Sequence, residues 1–294
     1  MNILISGASG FIGSELIRSC TEQGHRVIAL HRHADQAPYW NIDKKVVQLG
    51  QDDQIDVVIH LAGENVAQGR WTAKKKERIL HSRVQGTRLL ADFFAQAAHK
   101  PQLMISASAI GFYGERGEEK LDEGSKKGTG FLSDVSHAWE EAAQPAVQAG
   151  IRVVHPRFGM VLSPEGGALT KVLLPFRMGL GGPMGKGSQY ISWISIHDVV
   201  LSIRHIIQQE ELDGPVNIVA PHPVTNQQFT RILGRALCRP AFFPVPKFFL
   251  SLFLGEMAQE LLLASTRVYP RKLQESGYVF ASPDLDSALR GLLR

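Results

Sequence analysis

Cysteine is almost missing from this chain. Two residues, Cys20 and Cys238, among 294 cannot build a disulfide framework and suit a reducing compartment. Long apolar runs are missing too. A membrane span needs ~20 apolar residues, whereas the most apolar stretch, Phe248 to Gly255, contains Ser251 and is soon followed by Glu256 and Glu260. The first apolar segment starts at Ile3 and runs straight into a glycine turn, which is not the pattern of a signal peptide. Neither sign of charge dominates. The 32 Lys and Arg against 28 Asp and Glu give a formal +4 spread along the chain, which argues against a nucleic-acid partner. The 11 histidines form no His-Glu-x-x-His motif and no Cys/His cluster, so no metal site is expected. Repeats and low-complexity tracts are lacking. With 44% hydrophobic and 20% charged residues, a disordered polymer is excluded. What remains is a globular, cytoplasmic protein, a monomer or homodimer, with a small-molecule ligand and neither nucleic acid nor membrane as partner.

The first forty residues are the most informative. A short apolar strand, Asn2 to Ser6, leads into Gly7-Ala8-Ser9-Gly10-Phe11-Ile12-Gly13, a helical stretch from Ser14 to Glu22, and a second strand, Arg26 to Leu30. Strand, glycine turn, helix and strand make the βαβ unit of a doubly wound parallel sheet. Further apolar runs predict strands at Val46 to Leu49, Asp56 to Ala62, Gln102 to Ala107, Arg152 to Val161 and Pro215 to Val219. Helices are predicted between them over Thr72 to Gln96, Phe131 to Gln148 and His197 to Gln209. This alternation implies an α/β Rossmann fold with helices on both faces. The Gly- and Pro-rich stretch Ser163 to Ser188 reads as an ordered loop. From Pro221 onward, short helices and Pro-containing turns read as a small lobe. The expected division is a dinucleotide-binding domain over 1–220, with 163–192 reaching toward the substrate, and a substrate or lid lobe over 221–294.

Gly7 permits the tight turn off the strand, Gly10 lets the backbone approach a pyrophosphate, and Gly13 lets helix and strand pack closely. Ser9, Phe11 and Ile12 complete the cradle. Phosphates placed there meet the free N–H groups and the dipole of the helix N-terminus. At the end of the second strand stand His31 and Arg32, with no Asp or Glu between Arg26 and Ala34. An NAD site places a carboxylate there, whereas a 2′-phosphate calls for arginine, so the expected cofactor is NADP.

The Gly-x-x-Gly-x-x-Gly spacing resembles that of the extended, epimerase-like short-chain dehydrogenases/reductases. His60-Leu61-Ala62-Gly63 is similar to that branch's fourth strand ending, which implies that Leu61, Ala62 and Gly63 lie on the adenosine side of the cofactor. Arg83-Val-Gln-Gly86-Thr87 resembles the following helix, with Arg83 where an Asn usually stands and within reach of ribose or phosphate. Ser106-Ala-Ser108 with Tyr113-Gly114 resembles the fifth strand ending, where the last Ser touches substrate. Pro156 to Val161 resembles the sixth strand, which implies that Val161 faces the nicotinamide. A fuller likeness, including Arg70-Trp71, Leu174 to Pro183, Trp193 to His197 and Pro270 to Leu273, is to the atypical subgroup called epimerase family proteins.

The superfamily's proton relay, Tyr-x-x-x-Lys, is not here. Four residues after Tyr39, Tyr113, Tyr190, Tyr269 and Tyr278 come Asp43, Gly117, Ile194, Leu273 and Ser282. Aligning on Trp139-Glu140 puts Leu132 and Ser136 where the pair stands. Ser108 and Tyr113 are the catalytic candidates that remain. His197 with Asp198, a helix N-cap by pattern, is read as capping and packing. Two functions follow: an NADP-dependent oxidoreductase or epimerase acting on a small polar substrate with a non-standard proton donor, or a non-enzymatic NADP-binding redox sensor or partner-binding module.

Overall fold

The computed structural model describes residues 1–32, 37–50 and 53–293. In chain order the first half comprises β1 (Asn2–Ser6), α1 (Phe11–Glu22), β2 (Arg26–Arg32), β3 (Tyr39–Asn41), β4 (Val46–Gln48), β5 (Val57–His60) and α2 (Ala73–Ala95). Then come β6 (Leu103–Ser106), β7 (Ser108–Ala109), β8 (Lys120–Leu121), α3 (Phe131–Glu141), α4 (Gln144–Gln148), β9 (Arg152–Phe158), β10 (Met160–Leu162) and α5 (Gly167–Arg177). The remainder holds β11 (Tyr190–Ile191), β12 (Trp193–Ser195), α6 (Ile196–Gln208), β13 (Gly214–Ile218), β14 (Val224–Thr225) and α7 (Asn226–Ala236). It ends with α8 (Lys247–Leu254), β15 (Arg267–Val268), α9 (Arg271–Glu275) and α10 (Leu285–Leu292).

The main sheet runs β13-β9-β6-β5-β1-β2-β3-β4, with β7 continuing alongside β9. Every pairing from β13 to β3 is parallel, and only β3 with β4 is antiparallel. The order reverses at β1, which has β2 on one side and β5 on the other. That is the switch point of a doubly wound sheet. Register does the rest: Ser6 lies opposite both Leu30 and His60, and His60 opposite Ser106. The carboxyl ends of four strands therefore stop side by side, and the segments expected to bind ligand leave from that one edge.

Alternation along the strands divides the core in two. Ile3 and Ile5 of β1 pack with Val57, Ile59 and Ile105 under α1 and α6, while Leu4 packs with Val58, Met104, Leu90 and Phe94 under α2. Continuous apolar runs in β1 and β5 reflect burial on both faces.

Four segments differ from the sequence expectation. Val46 to Leu49 forms the expected strand over Val46–Gln48, but as the antiparallel partner of Tyr39–Asn41 at the sheet edge and not in parallel. The run Arg152 to Val161 is interrupted at Gly159. A Cβ there would lie 2.6 Å from the Ser192 carbonyl, and β10 leaves the main sheet to pair with β12. The helix over Phe131 to Gln148 breaks after Glu141, and Pro145 starts α4, where its missing N–H is harmless. The loop over Ser163 to Ser188 contains a helix, α5, whose Leu169, Leu173 and Phe176 form one buried stripe despite Pro175. At α6 the cap is Ser195, whose hydroxyl accepts from the Asp198 backbone N–H. Asp198 is wholly buried and accepts from Ser195, Tyr278, Ala281 and Ser282, tying the C-terminal segment to the sheet.

His60 ends β5 inside the core, with Nδ1 2.5 Å from the Ser6 hydroxyl. Burial, with a contribution from Arg83, drives its pKa down to about 3, so the folded protein holds a neutral ring. An unfolded His binds its proton near pH 6.5. Stability is therefore complete above that pH and is lost as the pH falls from ~6.5 toward 3, at about 1.4 kcal/mol per unit for this group. His155, buried and also pushed down, acts in the same direction. Denaturant unfolding between pH 7 and 4 should show this slope, reduced by about that amount in His60→Gln. Equal slopes would mean that His60 is protonated in the fold.

Candidate functional site

The glycine turn is built by close approach. Gly7 has φ +74°, and a Cβ on it would lie 2.9 Å from the Ala62 nitrogen. A Cβ on Gly13 would lie 2.3 Å from the Gly7 carbonyl oxygen, so α1 meets β1 with no room for a methyl group. Gly10 is different. Its Cβ would meet only the Gly7 oxygen, at 3.0 Å, and otherwise faces open space. Gly10 is the N-cap of α1, no side chain caps the helix, and no acidic residue sits in its first turn. The N–H groups of Phe11, Ile12 and Gly13 are thus positioned for an anion. An exposed cradle that a side chain at Gly10 would fill fits the pyrophosphate of a dinucleotide.

The other predicted positions surround this turn. Ser9 is exposed in the turn itself, and His31 and Arg32 are exposed at the end of β2. Leu61, Ala62 and Gly63 leave β5 directly against Gly7. Arg83 turns toward the protein. Its Nη1 donates to the carbonyls of Glu64, at 3.0 Å, and Ile79, its guanidinium lies 4.8 Å from the Trp139 ring, and burial lowers its pKa to about 10. It underlies Gly63, where a Cβ would stand 3.3 Å from Arg83 Cζ. Val161 sits in β10 opposite Ile194, off the main sheet. Phe11 is covered by the start of α5, since a Cβ on Gly166 would come within 2.7 Å of its ring.

Ser108 and Tyr113 belong to a buried network whose other members sequence reasoning missed. The Ser108 hydroxyl donates to Glu140 at 2.7 Å. Arg157 makes a two-pronged pair with the same carboxylate, 2.8 Å on each side, and donates from Nη1 to the Tyr113 hydroxyl at 3.0 Å. Tyr113 in turn donates to Asn217 Oδ1 at 2.7 Å. The Arg157 guanidinium also lies 3.5 Å from the Phe112 ring. Ser108 is 2% exposed and Tyr113 0%. Burial raises the Tyr113 pKa to about 12 against the pull of Arg157. Both hydroxyls are thus committed to protein partners. The signal for the network was an arginine in the middle of an apolar strand, Arg157, which must find a carboxylate to be buried at all. Leu132 and Ser136, the positions aligned with the relay, lie on α3. Both lie against Gly111, whose Cβ would sit 3.1 Å from Leu132 Cβ and 3.7 Å from Ser136 Oγ.

Beyond the network a cleft of about 330 Å³ opens, lined by Gly111, Glu115 and Leu132 on one side and by Lys247, Gln259 and Glu260 on the other. Glu260 accepts from the first N–H groups of α3, those of Phe131 and Leu132, and Glu115 accepts from the Ser265 N–H. The C-terminal segment is thereby held against the β7 side of the sheet edge.

Such a sheet, with a glycine cradle at its switch point, defines a dinucleotide-binding protein of the extended short-chain dehydrogenase/reductase type. The chain belongs to the NAD dependent epimerase/dehydratase family, whose model matches residues 3–219, and residues 245–292 match a domain of unknown function, DUF1731. Among curated relatives, the epimerase family protein YfhF of Bacillus subtilis is 38% identical over 300 residues, covering 100% of this chain and 98% of its own. Among solved structures, human epimerase family protein SDR39U1 with NADPH has a TM-score of 0.92 at 32% identity, covering 99% of each chain. The nucleoside-diphosphate sugar epimerase of Corynebacterium glutamicum has a TM-score of 0.82 at 34% identity, covering 100% of this chain and 58% of its own.

The Arg157–Glu140 pair supports a direct test. The two side chains are only 3% and 11% exposed. Glu140→Ala leaves a buried guanidinium unpaired and should cost about 3–5 kcal/mol in urea unfolding. Adding Arg157→Met should recover much of that loss, because no charge then remains to be buried. A double variant no more stable than Glu140→Ala would show that the charge is not what matters.

Proposed function

We propose that this chain is an NADP(H)-binding protein in which a static ion-pair network stands in place of the superfamily's proton relay, so that the nucleotide is held as a signal of redox state. The carrying observation is the commitment of Ser108 and Tyr113 to Glu140, Arg157 and Asn217. When bound, the nicotinamide supplies a hydride. The chain's own part is to bind and orient it through Gly7, Ser9, Gly10, Phe11, Ile12 and Gly13, with Leu61, Ala62 and Gly63 on the adenosine side. Arg83 stiffens that wall from beneath, and Val161 bounds the nicotinamide side. His31 and Arg32 face the 2′-phosphate. The preference for NADP rests on Arg32 and is supported by the NADPH in the human relative.

The cleft beside Gly111 favours a second reading, an oxidoreductase or epimerase acting on a small polar molecule. Its volume is within the range of small-ligand sites. In this reading the segment 221–294 and residues 166–190 form a lid, and Ser108 and Tyr113 are the nearest hydroxyls to the reacting carbon. Positioned acid–base help is typically worth ~10²–10⁴-fold, and neither committed hydroxyl offers it freely.

Calorimetry separates the cofactor claims. The protein should bind NADP(H) more tightly than NAD(H), Arg32→Asp should weaken NADP(H) selectively, and Gly10→Val should abolish both while the fold persists. Equal losses on Arg32→Asp would remove the NADP assignment. Hydride transfer to generic carbonyl substrates, followed by absorbance, should be undetectable alongside tight NADP(H) binding. Turnover that falls in Ser108→Ala at unchanged NADP(H) affinity would instead establish the enzyme reading. Turnover unaffected by Ser108→Ala would place the reaction elsewhere.

A further inference from the structure

Two stretches of this chain contain no carboxylate. No Asp or Glu occurs from Gly166 to His197 or from Gly214 to Gly255, although the latter carries Arg231, Arg235, Arg239 and Lys247 and the former Lys171, Arg177 and Lys186. The fold brings the two stretches together. Phe243 N–H donates to the Gly181 carbonyl at 3.1 Å, Val245 N–H to that of Pro183 at 2.9 Å, and Arg239 Nε to that of Arg177 at 3.0 Å. Large apolar side chains stand out in the same segments. Leu174, Met178, Phe242, Phe248 and Phe253 are each at least 63% exposed. Helix α8, whose sequence is Lys-Phe-Phe-Leu-Ser-Leu-Phe-Leu, has no fully buried residue. A groove of about 570 Å³ opens along α7 and the segment that leads to α8, lined by Arg231, Arg235, Arg239 and Phe242.

Exposed apolar surface of this kind, rimmed by charge of one sign, marks a docking face. We propose that this face docks on an anionic lipid bilayer, with Phe248 and Phe253 entering the acyl boundary and Arg231, Arg235 and Arg239 meeting lipid phosphates. An exposed Phe/Leu helix that follows a run of cations, its nearest carboxylate Glu256 paired with Lys76, has the chemistry of an interfacial anchor. A second copy fits less well, because a two-fold contact lays the same arginines against one another. Single-stranded nucleic acid fits less well too, since stacking makes no use of Leu174, Met178 or Leu252. No helix among the described residues is long and apolar enough to cross a membrane. Surface docking requires none.

Flotation of the full chain with phosphatidylcholine vesicles, with and without phosphatidylglycerol, tests the proposal. Binding should require the anionic lipid and weaken as salt rises. Each of Arg231→Gln, Arg235→Gln and Arg239→Gln should weaken it about fivefold. Phe248→Ser with Phe253→Ser should weaken it at least about tenfold. Apart from Arg239, which donates to the Arg177 carbonyl, these side chains are exposed and free of that tie, so melting temperatures should not move. Arg231→Gln and Arg235→Gln carry the test if the Phe pair proves unstable. Four outcomes each overturn the proposal: no flotation, or equal flotation with neutral vesicles; release by inorganic phosphate at constant ionic strength, which means a free-anion site; a dimer by light scattering that the Phe pair abolishes, which means an interface between copies; and tighter binding to single-stranded DNA than to vesicles.

Discussion

The distance between Gly13 and the carbonyl of Gly7 is the constraint from which the rest of the site follows. It is too small to admit a methyl group, and it determines how steeply α1 leaves β1. That angle points the first turn of the helix across the sheet edge, and the parallel register then delivers the ends of β2, β5 and β6 to the same place. Were α1 pushed outward by one carbon, its N–H groups would no longer converge on the opening at Gly10. The binding geometry is thus a packing property of two glycines before it is a property of any polar side chain.

The other edge of the site obeys a different logic. A buried arginine is tolerated only when its charge and its donors are met. Arg157 meets that condition by drawing in Glu140 from α3, Tyr113 from the turn after β7 and, through Glu140, Ser108. The same condition ties both hydroxyls to protein partners. In a protein with a working Tyr-Lys relay, α3 presents titratable groups to the cofactor. Here the aligned positions hold Leu132 and a buried Ser136, and Glu140 of the same helix is turned inward to Arg157. Polarity on one face of α3 is thus taken up by an internal ion pair, within the fold of the family.

The parallel sheet and its cradle were legible because both are written locally. The first apolar runs, the glycine spacing and the lack of an acid between Arg26 and Ala34 lie within about thirty residues, the span of one βαβ unit. What was not legible depends on partners distant in sequence. Gly159 ends a strand because Ser192 approaches it, and α5 is hidden by its Gly and Pro content until Leu169, Leu173 and Phe176 find a surface. Asp198 reads as a cap from its neighbours alone, yet it binds residues eighty positions on. The network around Arg157 was half legible. An arginine inside an apolar run announces a partner but not which one, and Glu140 looked like part of an alignment marker.

Phe11 opens helix α1 at the phosphate cradle, and its ring is clasped by Gly166 and Gly167, where α5 begins. A shift of the Phe11 ring must therefore shift the start of α5, whose far end carries Leu174 and Met178. The cradle and the exposed apolar side chains of α5 are thus joined by a single helix. The joint is an aromatic ring closed over by two glycines, and no side chain at Gly166 would fit against it.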